Sequence, residues 1–448
     1  MKTAKKVLLI ILSILMVFTC KRYTEPEGSN TANEQDNGTG IVGGGDNGGG
    51  GSTIGDETGP LTGSGGGISL GSFTLPKNSL SQEEQNKDYD PSYNHAVLFA
   101  NGGIPALTTT SKGALVAAVG YEGNIQVKKS LDSGKTWFIS QVATETPSRN
   151  PFFINCHNGD VLLGVTTYGA GFTNTIFYRS TDDGGSWTKQ ESLVKVSDID
   201  SKVTSNFVIY GQGVTLRHGA NAGQNKLLFP YSYSTNTYID QTQWTMTINS
   251  SDDGKKWDII SNRIKGNLVT QGNPFGDFSA YENKIYETYE GNILLNLRTP
   301  GNLMYWAHST NYGKDWIITT IKTEERADND IHADMVRYEF NGKPIKGSKY
   351  GLMAYYRTGG NGEYKVRLTD NDFNNGDKSG SKYKKTEIIV TDTGITNGYP
   401  AITVLPDGTI GTLTEEIKDG SANIIFRRFN LYWLTYGSEK VDYSTIAY

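Results

Sequence analysis

The chain has 448 residues, 54 of them glycine and 26 tyrosine, a formal net charge of −5 and only two cysteines. The acidic balance argues against a nucleic-acid partner, and two cysteines exclude a disulfide-stapled scaffold. The length allows one large domain with a tail, and the turn-rich composition without long amphipathic helical patterns suits an all-β protein.

Residues 1–19 read as a lipoprotein signal peptide. Lys2, Lys5 and Lys6 form a basic start, and Val7 to Phe18 form an apolar core. This core is shorter than the roughly 20 residues that span a bilayer comfortably. It ends in Val17-Phe18-Thr19-Cys20, similar to a relaxed bacterial lipobox in which Cys20 is lipidated and becomes the first residue of the mature chain. Ordinary secretion with cleavage nearby is the alternative. A lipid on Cys20 gives membrane attachment without a transmembrane helix, and it leaves Cys156 without a partner. Residues 20–85 read as a Gly-rich flexible linker, too poor in large apolar side chains to offset the entropy of ordering. No Lys-Ser/Thr follows the glycine runs, so they are not phosphate loops.

Residues 86–448 read as a single domain of alternating strands and turns, evident from about His95 onward. A phrase of the form Ser-x-Asp-x-Gly-x-x-Trp recurs through it: SLDSGKTW from Ser130, STDDGGSW from Ser180 and SSDDGKKW from Ser250. A fourth copy, STNYGKDW from Ser309, carries Asn311 in the Asp place, and TDNDF near Thr369 is read as a decayed fifth. Each clear copy follows a strand-like run, such as NIQVKKS or TIFYRS. A strand, a tight polar turn and an aromatic opening the next strand make a hairpin unit. In it the Asp accepts from the turn's own amides, Gly supplies positive φ, and Trp is buried at the base. Recurrence of one hairpin marks a repeat fold of propeller blades.

The recurring phrase is the Asp-box, or BNR repeat, and the domain resembles the six-bladed β-propeller of the sialidase (neuraminidase) family over about residues 95–420. Asp132, Asp182 and Asp252 are then scaffold. Four stretches between the boxes carry the rest of the likeness. GIPALTTTSKGALVAAV matches the family's Arg-Ile-Pro segment except that Gly103 stands where the first substrate-carboxylate arginine belongs. GQGVTLRHGANAGQNKLLFPYSY, from Gly211, is similar to a pocket-lining strand pair. YENKIYETYEGNILLNLR places Glu282 on the activating glutamate and Arg298 on the second arginine. GYPAITVLPDGTIGTLTE places Tyr399 on the nucleophilic tyrosine and Glu415 on the carboxylate that orients the first arginine.

The resemblance implies an exo-α-sialidase acting on terminal sialic acids by retaining hydrolysis. A carboxylate on the anomeric carbon repels a carboxylate nucleophile, so a tyrosine, neutral until activated, is better suited. With an ordinary pKa near 10 it needs a base, a role implied for Glu282, while Arg298 is expected to grip the substrate carboxylate bidentately. Direct alignment puts Asn361 at the third arginine, and Arg357, four residues earlier, is the candidate to replace it. The acid's loop, GYEGN, offers only Glu122. Loss of one arm of an arginine clamp costs on the order of 100-fold in binding. Arg149, in SRNPFF, reads as a loop charge, and the five histidines show no His-x-x-x-His spacing, so neither metal nor cofactor is expected. The expected partners are sialylated glycans or glycoproteins and, through Cys20, the membrane. The expected setting is the bacterial cell envelope, lipid-anchored and surface-exposed, with the protein a monomer. Two rivals stay open: a glycan-binding propeller that has lost turnover, and a hydrolase for another sugar.

Overall fold

The computed structural model describes residues 95–140, 142, 148–167, 174–203, 205–208, 211–234, 242–267, 282–297, 303–322, 331–347, 349–357, 363–373, 383–390, 396–418, 420–439 and 441. The expected signal peptide and linker, together with Arg298 and Asn361, lie outside them.

Strand β1 (His95–Ala100) belongs to the last blade. Blade 1 is β2 (Gly103–Thr109), β3 (Leu115–Tyr121), β4 (Asn124–Ser130) and β5 (Phe138–Ser140), in that order from the axis outward. Blade 2 follows with β6 (Ser148–Asn155), β7 (Val161–Thr167), β8 (Thr175–Ser180) and β9 (Thr188–Val194), and a short helix α1 (Val196–Ile199) leads away from it. In blade 3 the inner position is shared by β10 (Ser205–Val208) and β12 (Val214–Thr215), which both pair with β13 (Leu227–Ser234). Between them β11 (Gly211–Gln212) joins β6 in parallel, and β14 (Thr242–Ser250) and β15 (Ile264–Asn267) complete the sheet. Blade 4 is β16 (Lys284–Glu287), β17 (Ile293–Leu297), β18 (Leu303–Ser309) and β19 (Ile317–Lys322). Blade 5 starts at β20 (Ile331–Arg337). A ribbon of β21 (Glu339–Phe340) and β22 (Lys343–Pro344) interrupts it before β23 (Gly351–Arg357), β24 (Glu363–Thr369) and β25 (Tyr383–Val390). Blade 6 is β26 (Thr396–Val404), β27 (Ile410–Lys418) and β28 (Ser421–Phe429), closed on its outer side by β1, and helix α2 (Leu431–Leu434) follows. The result is the expected six-bladed β-propeller.

The residues explain the layering. Strand β3, LVAAVGY, has both faces covered by neighbouring blades and is buried from Leu115 to Val119. Farther out, β4 alternates exposed Asn124 and Gln126 with buried Ile125 and Val127, the period of a strand with one wet face. Between blades the apolar faces interlock. Phe152, Phe177 and Phe229 pack with Trp257 between blades 2 and 3, and Leu107, Ala117, Leu413 and Phe426 pack with Trp137 between blades 1 and 6. Each buried leucine or phenylalanine here contributes about 1.5–3 kcal/mol by leaving water.

The recurring turns join the third and fourth strands of their blades. In the first, Ser130 donates to Asp132 Oδ1 (2.9 Å) and accepts from Gly134 N (2.8 Å), while Asp132 Oδ1 accepts from Thr136 N (2.8 Å). The pattern repeats from Ser180, Ser250 and Ser309, with Asn311 serving as the acceptor in the last. Thr369 and Asn371 make the corresponding bonds, so the decayed fifth copy keeps the geometry. Positive φ is required not only at the glycine but at the residue before it, where Ser133, Asp183, Asp253 and Tyr312 have φ of 60°, 58°, 57° and 64°. That residue reaches the preceding blade: Asp253 accepts from His157 N (2.9 Å), and Asp372 of the fifth copy accepts from Tyr286 Oη (2.7 Å). Trp137 is buried, as expected. Trp187, Trp257 and Trp316 are only half-buried, and the Nε1 groups of Trp187 and Trp316 donate to Ser140 and Ser261 (2.9 and 3.1 Å).

Candidate active site

The inner strands β2, β16, β20 and β26 all start at the same end of the propeller axis. Contacts at both ends fix their common direction: Gly103 lies against Glu415 at the start, and Thr109 Oγ1 meets Thr403 Oγ1 (2.9 Å) at the finish. The candidate groups cluster at the starting end, opposite the recurring turns.

Tyr399 is set by the β26–β27 hairpin, whose turn at Asp407–Thr409 caps itself through Thr409 N to Asp407 Oδ1 (2.9 Å). The ladder runs in register from Val404↔Ile410 back to Pro400↔Thr414, then shifts between Pro400 and Asn397. This bulge re-aims Tyr399 out of the pleat. Its hydroxyl donates to Glu282 Oε1 at 2.7 Å. Glu282 precedes β16 and has a left-handed φ of 49°, an uncommon conformation for glutamate that the surrounding strands must maintain. Thus two residues 117 positions apart form the hydrogen-bonded pair required of a nucleophile and its base.

Glu415 lies behind them. It is 8 % exposed and accepts from the amides of Tyr399 (3.1 Å) and Ile104. Burial raises its pKa, the two amides oppose that, and the charge on Glu282 adds to the rise. A Cβ on Gly103 would lie 3.2 Å from Glu415 Oε1. The carboxylate therefore stands beside the place an arginine side chain would leave, with backbone amides as partners. Deeper in, Lys284 and Asp334 are each 1 % exposed and pair electrostatically. Burial lowers the lysine's pKa and raises the aspartate's, while each charge offsets the other. Asp334 also accepts from Ile402 N (3.0 Å), fastening β20 to β26.

Other expectations are not brought to this cluster. Glu122 is exposed on the β3–β4 turn at the same end of blade 1, since Gly120 pairs with Gly103. Its carboxylate accepts from the Tyr121 hydroxyl and raises that phenol's pKa, and it makes no hydrogen bond to Tyr399 or Glu282. Arg357 ends β23, but its side chain lies outside the described residues, as does all of Arg298. The stretch from Gly211 lines a cavity of about 140 Å³ at the other end of the axis through Gln212, Thr215 and Arg217. It is pocket-lining as expected, but in a different pocket, because β11 and β12 run beside the far half of β6.

Two groups escaped the sequence reading. His332, second in β20, stacks on the Tyr399 ring with centroids 4.2 Å apart and planes 7° from parallel. Arg149 is an exposed residue of β6, not a loop charge. Blade 1 and blade 2 open alike: both registers shift there, Ile104 and Asn150 have φ of 53° and 51°, and Pro105 and Pro151 follow. Arg149 thus occupies in blade 2 the place of Gly103 in blade 1. The repeated x-x-Pro of GIP, RNP and GYP was a visible signal for it.

No protein-family model matches the chain. In sequence it is 26% identical over 375 residues to a sialidase from Micromonospora viridifaciens, an alignment covering 75% of this chain and about half (52%) of that protein. In structure it is similar to a leech intramolecular trans-sialidase complexed with 2,7-anhydro-Neu5Ac (TM-score 0.57, 16% identity, covering 81% of this chain and 74% of that one). A similar likeness holds to the intramolecular trans-sialidase of Ruminococcus gnavus in complex with oseltamivir carboxylate (TM-score 0.55, 16% identity, 75% and 95%). The chain carries the six-bladed propeller of the sialidases and is similar in sequence to a bacterial member of that family.

Proposed function

We propose that the protein is a retaining exo-α-sialidase that removes terminal sialic acids from host glycoconjugates. The observation that carries this reading is the 2.7 Å hydrogen bond from Tyr399 Oη to Glu282 Oε1 at the starting end of the inner strands. Tyr399 attacks the anomeric carbon while Glu282 takes its proton and the aglycone leaves with a proton from an acid; water, giving a proton back to that acid, then cleaves the glycosyl-tyrosine, and Glu282 returns the proton to Tyr399. Glu122 is the acid we propose, since its turn lies at this end of blade 1. Arg298 and Arg357 are proposed to grip the substrate carboxylate, and Glu415 to hold the Tyr399 backbone. We further propose a lipoprotein exported by residues 1–19, anchored through Cys20 to the cell envelope and spaced from it by residues 20–85.

One observation favours a second reading. Among the described residues, Glu415 faces the vacant side of Gly103 with no guanidinium between, which suits a sugar lacking an anomeric carboxylate. Release of a fluorogenic leaving group from an α-linked sialoside, beside a Tyr399→Phe control, decides between them. Turnover abolished in the control supports the sialidase; inertness toward sialosides with cleavage of a neutral glycoside supports the second reading.

A further inference from the structure

His332 touches both members of the Tyr399–Glu282 pair. Its ring lies face to face with the phenol, and its Nε2 is 3.7 Å from Glu282 Oε2, the carboxylate oxygen Tyr399 does not use. The imidazole side chain is only 11 % exposed, so its influence on its neighbours is weakly screened. Its position is held from the same strand. Asp334, two residues on and on the same side of β20, bonds Ile402 N of β26, which fixes β20 against the strand that carries Tyr399. A parallel face contact at this distance limits the rotation of the tyrosine about its side-chain bonds and keeps Oη aligned with Glu282.

We infer that His332 is a positioning residue of this site, one that holds the Tyr399 ring and, as imidazolium, supplies positive charge to the Glu282–Tyr399 pair beside the place Gly103 leaves without a guanidinium. The inference rests on Tyr399 being the nucleophile. When Glu282 accepts the phenolic proton, negative charge moves onto the tyrosine, and a cation stacked on that ring stabilises the change. Among the described residues the imidazole meets Glu282 and Tyr399, Tyr356 pairs with it across β23, Asp334 follows it on its own strand, and Lys284 and Glu415 act electrostatically on Glu282. The Glu282 carboxylate favours the protonated imidazole and burial opposes it. The proton is lost as pH rises through the imidazole range, near 6.5 for an unperturbed histidine, and kcat falls with it.

The test combines kinetics with a measurement that needs no substrate. His332→Phe keeps the stack and removes the charge. It is expected to keep the wild-type melting temperature and KM, lower kcat about tenfold below pH ~6, and abolish the decline of kcat with rising pH. His332→Ala removes the stack as well and is expected to lower kcat about 100-fold. A His332→Phe enzyme with the wild-type kcat and pH profile overturns the inference. Separately, the imidazole resonance absent from His332→Phe is titrated by NMR in the wild type and in Glu282→Gln. Its pKa is expected to fall by about one unit when the Glu282 charge is removed. An unchanged value overturns the inference whatever the substrate, whereas a shifted value in a protein inert toward sialosides upholds the Tyr399–Glu282–His332 coupling and rejects the sialidase reading instead.

Discussion

The two ends of the same inner strands are built on opposite principles. At the far end, one network of charges is buried and paired. Arg337 donates to Glu339 (2.8 Å) and Asp372 (2.6 Å), His218 Nε2 bonds Glu339 (2.8 Å), and Glu287 accepts from Arg217 N (2.7 Å) and Asn221 Nδ2 (3.0 Å). At the starting end, Tyr399 is half-buried, Glu282 and Ile104 hold left-handed backbones, Glu415 has amides in place of a guanidinium, and Arg149 is exposed. Satisfied polar networks rigidify, which suits the far end to holding the blades together.

Substitutions at each end sharpen this contrast, because they should move different observables. The largest effect is expected for Tyr399→Phe, which should lower sialoside kcat by more than about 1,000-fold with the melting temperature unchanged. At the far end, Arg337→Met leaves Glu339 and Asp372 buried without their cation. Loss of about 3–5 kcal/mol of stability by denaturant titration is expected, with the kcat of the folded fraction unaltered. A kinetic defect in the folded Arg337→Met protein would break the comparison.

Next comes the arginine missing from blade 1. Gly103 lies outside the left-handed region, and the nearest atom to an added Cβ is a Glu415 carboxylate oxygen, which must give by a few tenths of an ångström. Gly103→Arg should therefore pair with Glu415 and lower the sialoside KM by up to about 100-fold. Arg149→Ala should raise that KM about tenfold with kcat little changed, if blade 2 supplies the cation that blade 1 lacks.

The smallest effect concerns pH. Glu415 has a folded pKa raised above its unfolded value, so its charged form is disfavoured by folding. The cost is absent below the ordinary carboxyl range near 4.3, sets in as pH rises through the raised value, and is complete above it. Glu415→Gln should thus melt about 2–4 °C higher than wild type at pH ~7 and no higher at pH ~4. An equal gain at both pH values would place the effect in packing.

Much of this was legible in the residues, for physical reasons that also mark where legibility stops. The Ser-x-Asp-x-Gly turn is a local hydrogen-bonded unit, so its recurrence reveals the blades, and even Thr369–Asn371 could be read as a decayed copy. Tyr399 and Glu282 each sit in a long strand-turn-strand phrase that resembles the family's, and the structure brings them together. His332 offered no such signal, because its stack on Tyr399 arises between two blades. The stretch from Gly211 showed that it lines a pocket but not which one, since the end of the axis it reaches depends on β11 pairing in parallel with β6. The clasp made by Asp253 and Asp372 was hidden too, because it depends on which blade comes before.

The closure by β1 has a mechanical consequence. Force applied on the N-terminal side of the propeller enters at His95 and is borne first by the ladder from His95↔Arg427 to Ala100↔Asn423 on the rim of blade 6. That blade carries Tyr399, and only Asn101 and Gly102 separate β1 from Gly103 at the start of β2. Peeling the rim strand would pull directly on the innermost strand of blade 1, where Ile104 N holds Glu415. Tension at this one edge is thereby transmitted to the end that holds Tyr399 and Glu282, while the paired charges of the Arg337 network stay outside the load path.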